Sequence, residues 1–475
     1  MLGLFGLLNM GARSLQVQQS GVEIAGQNLS NINNPAYARQ RLQVQTSLVI
    51  PTALGPEGTG IQAVGIQQIR NSLLDSQIAS ESSVGGYWNS QQSALENAQI
   101  QLGEFFNQAA SSVDSSATAG SAALSQGIAA QLSGFFNSWQ SVAANPASLT
   151  ARQALVNQSQ GLADSLNQAS QRLSSLSDSL DSSVNTDIGS ANQALSDIAD
   201  LNKQIAIGEM SGGTANDLRD LRQQKLEQLG ALVNFDASTG ADGSVNISVN
   251  GTQLVSGQQV VDTLQSYNAG GGQLLVRTAT SATPLTLTGG SIQGTIAARD
   301  GALKTIRDQL DSLASTLVGQ VNGIYVNGYD LHGNTGATFF SGTDAATIGV
   351  NNTLQTDPSL VQAGGAPAAT GDNTIALSLA QLGEQSNAAL NNQTFSQAYD
   401  LDVAGFGNSL SNANNQVSNY TALNTMLLNQ RDSVSGVSLE EEMTSLITFQ
   451  KAYQASGKII TTVDEMLQVL VNLKT

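Results

Sequence analysis

The chain of 475 residues contains no cysteine and a single histidine, His332. Disulfides and thiolate metal sites are therefore excluded, and zinc sites of the usual Cys/His kinds are nearly excluded. No stretch of about 18 or more consecutive apolar residues exists, so the sequence predicts no membrane insertion. The first residues form a short apolar run without a preceding basic residue, which fits a cleaved secretory signal poorly.

Charge is also scarce, because Asp, Glu, Lys and Arg make up only 11% of the residues, against about 25% in typical globular proteins. The polar surface must therefore consist mostly of Gln, Asn, Ser and Thr. The net charge of −18 argues against a polyanionic partner such as nucleic acid. A chain of this length predicts two or three domains.

Sequence motifs of the common enzyme classes are missing too. No HExxH, GxSxG or Cys/His cluster occurs. Gly457-Lys458 lies within a predicted helix rather than in a phosphate-binding loop, and His332 falls in a turn-rich segment. No spacing singles out a pair of acidic residues as a glycosidase site. We therefore expect no catalytic activity, no cofactor and no metal site.

What the sequence does contain is a long amphipathic helix at its C-terminal end, predicted from Gly436 to Thr475. Ser438 and Glu441 have the spacing of a capping box, and the acidic residues that follow Leu439 suit the positive end of the helix dipole. An apolar stripe recurs at steps of three, four or seven residues: Leu439, Met443, Leu446, Tyr453, Ile460, Leu467 and Leu470. Such a stripe needs a surface to pack against.

A second apolar stripe occupies the first 33 residues at heptad spacing. One row of residues seven apart comprises Met1, Leu8, Leu15, Val22 and Leu29, and a row three residues later comprises Leu4, Gly11, Gln18, Ala25 and Ile32. The pattern ends at Asn34-Pro35, because proline disfavours helical geometry in the residue before it. On pattern alone, a core helix of one molecule is favoured over a helix between subunits.

Each end of the chain carries a long motif. The N-terminal motif is Asn28-Leu-Ser-Asn-Ile-Asn-Asn-Pro-Ala-Tyr-Ala-Arg39-Gln40, with a turn formed by Asn31, Asn34, Pro35, Tyr37 and Arg39. The C-terminal motif comprises Leu439-Glu-Glu-Glu-Met443, Phe449-Gln-Lys-Ala-Tyr-Gln-Ala-Ser456 and Asp464-Glu-Met466. Together they resemble the motifs of the bacterial flagellar axial proteins, a family of rod, hook and hook-associated proteins. Ala36 stands where the family usually has glycine. The resemblance implies that residues 1–33 and 436–475 pair antiparallel.

The clearest periodicity runs from Leu149 to Ile205, where apolar residues recur at steps of three and four. A continuous helix of this length would extend about 85 Å. Successive steps of four around Val184 form a stutter, which locally unwinds a supercoil. Further helices are predicted at residues 70–106, 128–142, 216–232, 295–325 and 394–434. Segments 145–152, 200–205 and 216–222 resemble the long helical insert of hook-associated proteins, which hook and rod proteins lack.

The composition changes at Asn234, after which polar and apolar residues alternate and Asn250-Gly251 gives a hairpin signal. The predicted fold class is mainly α with an inserted small β domain. In this nested, multi-domain chain the N- and C-terminal helices pair as an antiparallel coiled-coil-like unit, and a long helical bundle forms the middle. The predicted domains are a terminal-helix polymerisation domain (1–60 and 430–475), a long-helix bundle (61–233 and 295–429) and a solvent-exposed β domain (234–294).

The resemblance implies a structural, non-enzymatic protein at the junction between hook and filament, exported without a cleaved signal peptide to the flagellum outside the cell. The implied partners are hook protein, a second hook-associated protein, like subunits in a helical layer, an export chaperone at the C-terminal region and the flagellar secretion apparatus.

The predicted assembly interface comprises Leu4, Leu8, Leu15, Val22, Leu29, Leu439, Met443, Leu446, Tyr453, Ile460, Leu467 and Leu470. Two alternatives remain open. One is another axial protein of the hook or filament type, although the helix from Leu149 to Ile205 argues against hook protein. The other is an exported hydrolase or adhesin carried on an axial-protein frame, with its activity in residues 234–390.

Overall fold

The computed structural model describes residues 3–52, 55–102, 127–210, 212–270, 273–367 and 369–472. Helices dominate these residues and the strands form small antiparallel sheets, which confirms the predicted fold class. The loop or poorly packed helix predicted at residues 109–125 lies outside the described residues.

The predicted helices are present with bounds close to those expected. In chain order the observed helices are α1 (Leu4–Ser30), α2 (Ser72–Leu102), α3 (Ile128–Ala144), α4 (Leu149–Glu209), α5 (Asn216–Leu232), α6 (Gly290–Ala298), α7 (Lys304–Tyr325), α8 (Asn352–Thr356), α9 (Thr374–Leu382), α10 (Phe395–Ser435) and α11 (Leu439–Asn472). Helices α8 and α9 lie outside the predicted helices. One helix predicted at 295–325 is instead split into α6 and α7 by a π-turn, Arg299–Leu303, in which Gly301 has non-helical dihedral angles.

The strands pair as short antiparallel units. In chain order they are β1 (Gln40–Thr46), β2 (Val49–Thr52), β3 (Gly55–Gly58), β4 (Ile61–Gln68), β5 (Asp236–Thr239), β6 (Val245–Val249), β7 (Thr252–Ser256), β8 (Gln259–Val260), β9 (Leu264–Asn268), β10 (Leu274–Thr278), β11 (Phe340–Ser341) and β12 (Gly349–Val350). Strands β5 to β8 form one sheet, and the pairs β1–β4, β2–β3, β9–β10 and β11–β12 form the others. Asn250 and Gly251, both with positive φ, connect β6 to β7, as the hairpin signal predicts.

The long helix α4 contributes to two separate hydrophobic cores. Its first half, up to Leu180, packs in a core with residues of α3, α7, α9 and the first half of α10. From Val184 onward it packs in a second core with α5, α6 and strands β6, β7, β9 and β10. The change of partner falls at the predicted stutter, where a local change in helix phase turns the apolar stripe toward a different neighbour.

Helix α2 crosses α5 and α6 so closely that backbone meets backbone at glycines. A Cβ atom added to Gly86 would lie 2.0 Å from the carbonyl oxygen of Ala231, and one added to Gly294 would lie 2.1 Å from that of Tyr87. Neither oxygen belongs to a side chain that could rotate away. Gly86 lies within a continuous helix and permits this close crossing.

Candidate functional site

Helices α1 and α11 lie antiparallel against each other, which confirms the pairing implied by the two terminal motifs. Three contacts define their register: Asn28 bonds to Glu442, Gly21 faces Phe449, and the hydroxyl oxygens of Ser14 and Ser456 lie 2.8 Å apart. On each helix these positions are seven residues apart, the spacing of a coiled-coil seam. We call α1 and α11 together the terminal pair.

Small residues of α1 let the two helices approach closely. A Cβ atom added to Gly21 would lie 2.5 Å from the ring of Phe449, and one added to Gly11 would lie 2.9 Å from the Ile460 side chain. The ring of Phe449 therefore occupies the space that a side chain at residue 21 would need. Ser14, Gly21 and Asn28 make three of these contacts, and Val17, Ile24 and Ala25 of α1 are also buried.

The predicted interface residues lie beside this contact or point away from it. Half-buried positions are Leu4, Leu8, Leu15, Val22, Leu29, Leu446, Ile460 and Leu467. Exposed positions are Leu439, Met443, Tyr453 and Leu470, with exposed fractions from 41% to 58%. The row Leu8, Leu15, Val22 and Leu29 is displaced by one residue from the observed seam. The terminal pair therefore leaves much of its apolar surface uncovered.

Further apolar side chains are exposed around the same unit. Those of the terminal pair are Phe5, Ile447, Ile459, Met466, Val469 and Val471. Those of the arm, defined as strands β1 to β4, are Val44, Leu48, Val49, Ile50, Val64 and Ile66. Arg13 attaches the arm to α1 by donating to the Ser47 hydroxyl at 2.9 Å. Apolar surface concentrated in this way typically marks a protein interaction site.

A buried hydrogen-bond network joins the terminal pair to the rest of the chain, and Asn28 is its centre. The Asn28 amide donates to the Gln40 carbonyl at 2.8 Å and to Glu442 Oε2 at 3.0 Å. Its oxygen accepts from the Tyr37 hydroxyl at 2.8 Å and from the Gln40 N–H at 2.9 Å. All four hydrogen-bonding positions of this buried side chain are satisfied.

Arg39 connects the motif turn to the start of α11. Its Nε donates to Glu442 Oε1 at 2.7 Å, and its Nη1 donates to Glu441. The Arg39 N–H donates to the Ser435 carbonyl at 2.9 Å, just before α11 begins. Because the Glu442 side chain is only 4% exposed, its charge depends on these donors. Arg39 therefore holds the two terminal helices in register.

Arg70 extends the network to α2 and α5. Its guanidinium donates to Asp75 at 2.9 Å, to Asp220 at 2.7 Å and to the Ala36 carbonyl at 3.1 Å. Burial raises the pKa of Asp220 although Arg70 opposes the shift. Burial and nearby carboxylates, Asp217 first, also raise the pKa of Tyr37 well above its usual value, so the phenol remains a donor. The predicted motif turn is thus tied to the helical body by charged and neutral hydrogen bonds.

Sequence reasoning predicted the three motifs but missed that they meet. Asn28 and Arg39 come from the N-terminal motif, Asp220 from the segment 216–222, and Glu442 from the C-terminal motif. The acidic run at the start of α11 was interpreted as a helix-dipole feature, whereas Glu442 is a buried counter-ion. One signal in the sequence could have indicated this ion pair. Arg39 lies in an Asn-rich motif that has no acidic residue, and the helix predicted to pair with that segment begins with three glutamates.

Replacing Glu442 by alanine is expected to loosen the terminal pair. The change leaves the donors of Arg39 and Asn28 without their acceptor, at a cost of about 2 kcal/mol, since Arg39 is partly solvated. Limited proteolysis should then cleave α11 faster than in the unchanged protein. Glu440→Ala, an exposed change in the same turn, should alter cleavage little; equal effects of the two variants would contradict the network's role.

In the described part of the chain, no group of three or more His, Asp or Glu side chains could hold a metal ion. No helix among the described residues is long and apolar enough to cross a membrane.

Two protein-family models match the chain. The model described as "Flagellar hook-associated protein FlgK helical domain" matches residues 121–340. The model described as "Flagellar basal body rod FlgEFG protein C-terminal" matches residues 429–473, which contain all of α11. The first match covers the long helix and the β-strands that pack on it, and the second covers one half of the terminal pair.

Similar proteins cover nearly the whole chain. The flagellar hook-associated protein 1 of Bacillus subtilis is 27% identical, covering 98% of this chain and 97% of its own length. The protein of the same name from Salmonella typhimurium is 24% identical, covering 98% and 100%. The solved structure of the flagellar hook junction protein FlgK from Burkholderia pseudomallei has a TM-score of 0.62 at 18% identity, over 76% of this chain and 100% of its own. At that identity the structural likeness establishes the fold.

Proposed function

We infer that this chain, which belongs to the flagellar hook-associated protein 1 family, is a structural component of the bacterial flagellum at the junction between hook and filament. The observation that carries the mechanism is the apolar surface of α11 that its partner α1 leaves exposed. A structural protein that works in a repeating layer needs such a surface on every copy. Family membership also separates the chain from hook-type and filament-type axial proteins.

The mechanism of the proposal is docking of terminal pairs from neighbouring copies. The exposed residues of α11, among them Met443, Tyr453 and Leu470, would be buried against the same helices of other copies. Contacts between different surfaces of identical subunits continue until they close or form a helix. The predicted interface residues would then occupy the second contact face, because the first is occupied by the small residues of α1.

The terminal pair is also proposed to gain order on assembly. Most helical stability in proteins comes from packing of the apolar face, and here part of that face is exposed. The proposed domain division follows from the same idea: terminal helices (1–60 and 430–475) inside, the helix bundle (61–233 and 295–429) around them, and the β domain (234–294) outermost.

Association with hook protein and axial assembly agree with the match of residues 429–473 to a rod-protein model. We also propose three further partners: a second hook-associated protein, an export chaperone at the C-terminal region and the flagellar secretion apparatus. Location in the flagellum follows from the family. The absence of catalytic activity is likewise a proposal.

Hydrogen exchange tests the assembly mechanism. In the free protein, amides of α1 and α11 are expected to exchange at least about 100-fold faster than those of α4, whose apolar residues are buried in two cores. In layers assembled on isolated hooks, protection of α1 and α11 should rise while that of α4 stays constant. Terminal helices that remain unprotected after assembly would contradict the proposal.

A further inference from the structure

A cavity of about 370 Å³ lies where α2, the π-turn before α7, and α10 meet. Its apolar walls include the rings of Trp88 and Phe406, and small residues such as Ala302 and Gly405 keep it open. Gly301, the non-helical residue of the π-turn, is also part of the wall. Insertions of this kind in helices are frequent at functional sites. None of the lining residues belongs to the terminal pair.

The lining of this cavity contains one charged group. The Asp402 carboxylate lines the cavity and is the one titratable group among the described lining residues. Burial raises the pKa of Asp402 to about 6, and no neighbouring charge contributes to the shift. A half-buried carboxylate without a cation is costly at neutral pH.

The Asp402 carboxylate and the aromatic walls together define the chemistry of a complementary ligand. An alkylated cation with N–H donors could form a charge-assisted bond to the carboxylate, and its charge and stem could lie against the aromatic rings. A divalent metal ion fits less well, because Ca²⁺ takes about 6 to 8 oxygen ligands, and the lining supplies a single carboxylate.

We propose that this cavity binds an alkylguanidinium or alkylammonium group, with the Asp402 carboxylate as its counter-ion. The group can come from a small amine in solution or from a basic side chain of a neighbouring copy. Both sources share the same chemistry.

Binding of n-butylguanidinium to the full-length chain tests the proposal. The chain has two tryptophans; Trp88 lines the cavity, and Trp139 of α3 is fully buried in the core. In a titration at pH 8, the indole N–H resonance of Trp88 should shift while that of Trp139 stays in place. Neutral n-butylurea should leave both resonances unchanged.

Matched variants identify the carboxylate. Asp402→Asn should weaken binding at least about tenfold, whereas Asp400→Asn, an exposed change of the same charge two residues away, should leave binding unchanged. At about pH 4.5 the unchanged protein should also bind at least about tenfold more weakly, because Asp402 is then protonated. Equal weakening by both variants, equal binding of n-butylurea, or an unmoved Trp88 resonance would overturn the proposal.

The stability of the variant keeps this test interpretable. The folded-state pKa of Asp402 lies above the value of about 3.9 in unfolded chains, so its carboxylate destabilises the fold as pH rises through 6. Asp402→Asn should therefore unfold at a higher temperature than the unchanged protein at pH 8 and at the same temperature near pH 3. A variant less stable at pH 8 would mean that Asp402 already has a partner, which contradicts the proposal.

Assembly experiments distinguish the two sources of the cationic group. They rest on the proposed function, whereas the binding measurement does not. If a neighbouring copy supplies the cation, Asp402→Asn and added n-butylguanidinium should each reduce layer formation on isolated hooks. If both leave layer formation unchanged while Trp88 still reports binding, the ligand is a free amine.

Discussion

Glutamine at four exposed apolar positions of α11 is expected to reduce assembly roughly 1,000-fold while the free protein remains folded. The positions are Met443, Ile447, Met466 and Leu470, all at least 41% exposed. Burying the exposed part of each side chain in an interface contributes about 1 kcal/mol, so four contribute about 4 kcal/mol. Each 1.4 kcal/mol corresponds to about tenfold in an equilibrium constant.

The measurement is the concentration of protein at which layers form on isolated hooks. Glutamine favours helix and is uncharged, so the circular dichroism of the free variant should match that of the unchanged protein. As a control, Thr444, Thr448, Gln454 and Thr461, which are exposed polar residues of the same helix, can be replaced by serine, with a much smaller effect expected. Removal of residues 436–475 should prevent assembly altogether. Normal assembly of either the glutamine variant or the truncated chain would exclude the docking mechanism.

Alanine in place of Gly86 is expected to be the most destabilising single methyl addition in the helical body. Its Cβ atom would lie 2.0 Å from the Ala231 carbonyl oxygen, so α2 and α5 would have to separate. Separation exposes apolar surface along the whole crossing, and we expect a loss of about 4 kcal/mol in unfolding free energy, the upper end of overpacking effects. Urea unfolding followed by circular dichroism measures it.

Gly189→Ala is the matched control for this change. Gly189 lies inside α4, and a Cβ atom added there meets nothing within 4 Å. Alanine restricts the unfolded chain and favours helix, so this variant should gain about 0.5 to 1 kcal/mol. If the two Gly→Ala changes alter the unfolding free energy in opposite directions, the backbone crossing determines the effect at Gly86 and helix propensity does not. Similar stabilities of the two variants would show that α2 and α5 are free to move apart.

Much of the fold was predictable because periodicity encodes helices directly. The helix from Leu149 onward, the hairpin at Asn250-Gly251 and the antiparallel terminal pair all agree with expectation. One of the two predicted rows of α1, with Leu8, Leu15, Val22 and Leu29, lies one residue away from the observed contact row, whereas Gly11 and Ala25 of the other predicted row are buried. Hydrophobicity indicated the large apolar residues, whereas the observed contact uses Ser14, Gly21 and Asn28. Close packing of small residues depends on the shape of the partner, which periodicity does not encode.

The polar network at Asn28 was not predictable for a related reason. Its members lie up to 414 residues apart in sequence, and each has an ordinary local role as a turn or helix-start residue. Only the three-dimensional meeting of α1, α5 and α11 reveals Glu442 as a buried counter-ion. The cavity at Asp402 likewise depends on the π-turn, because uninterrupted periodicity predicted one straight helix there.

The sharing of α4 between two cores has a mechanical consequence in a rotating organelle. Apolar residues of α4 from Leu155 to Leu180 pack in the first core. Those from Val184 to Ile205 pack in the second core or beside it. Torque applied to the first core therefore reaches the second along continuous backbone hydrogen bonds, with no loop in between that could act as a hinge. A rotation of one core relative to the other would therefore require α4 itself to twist or break.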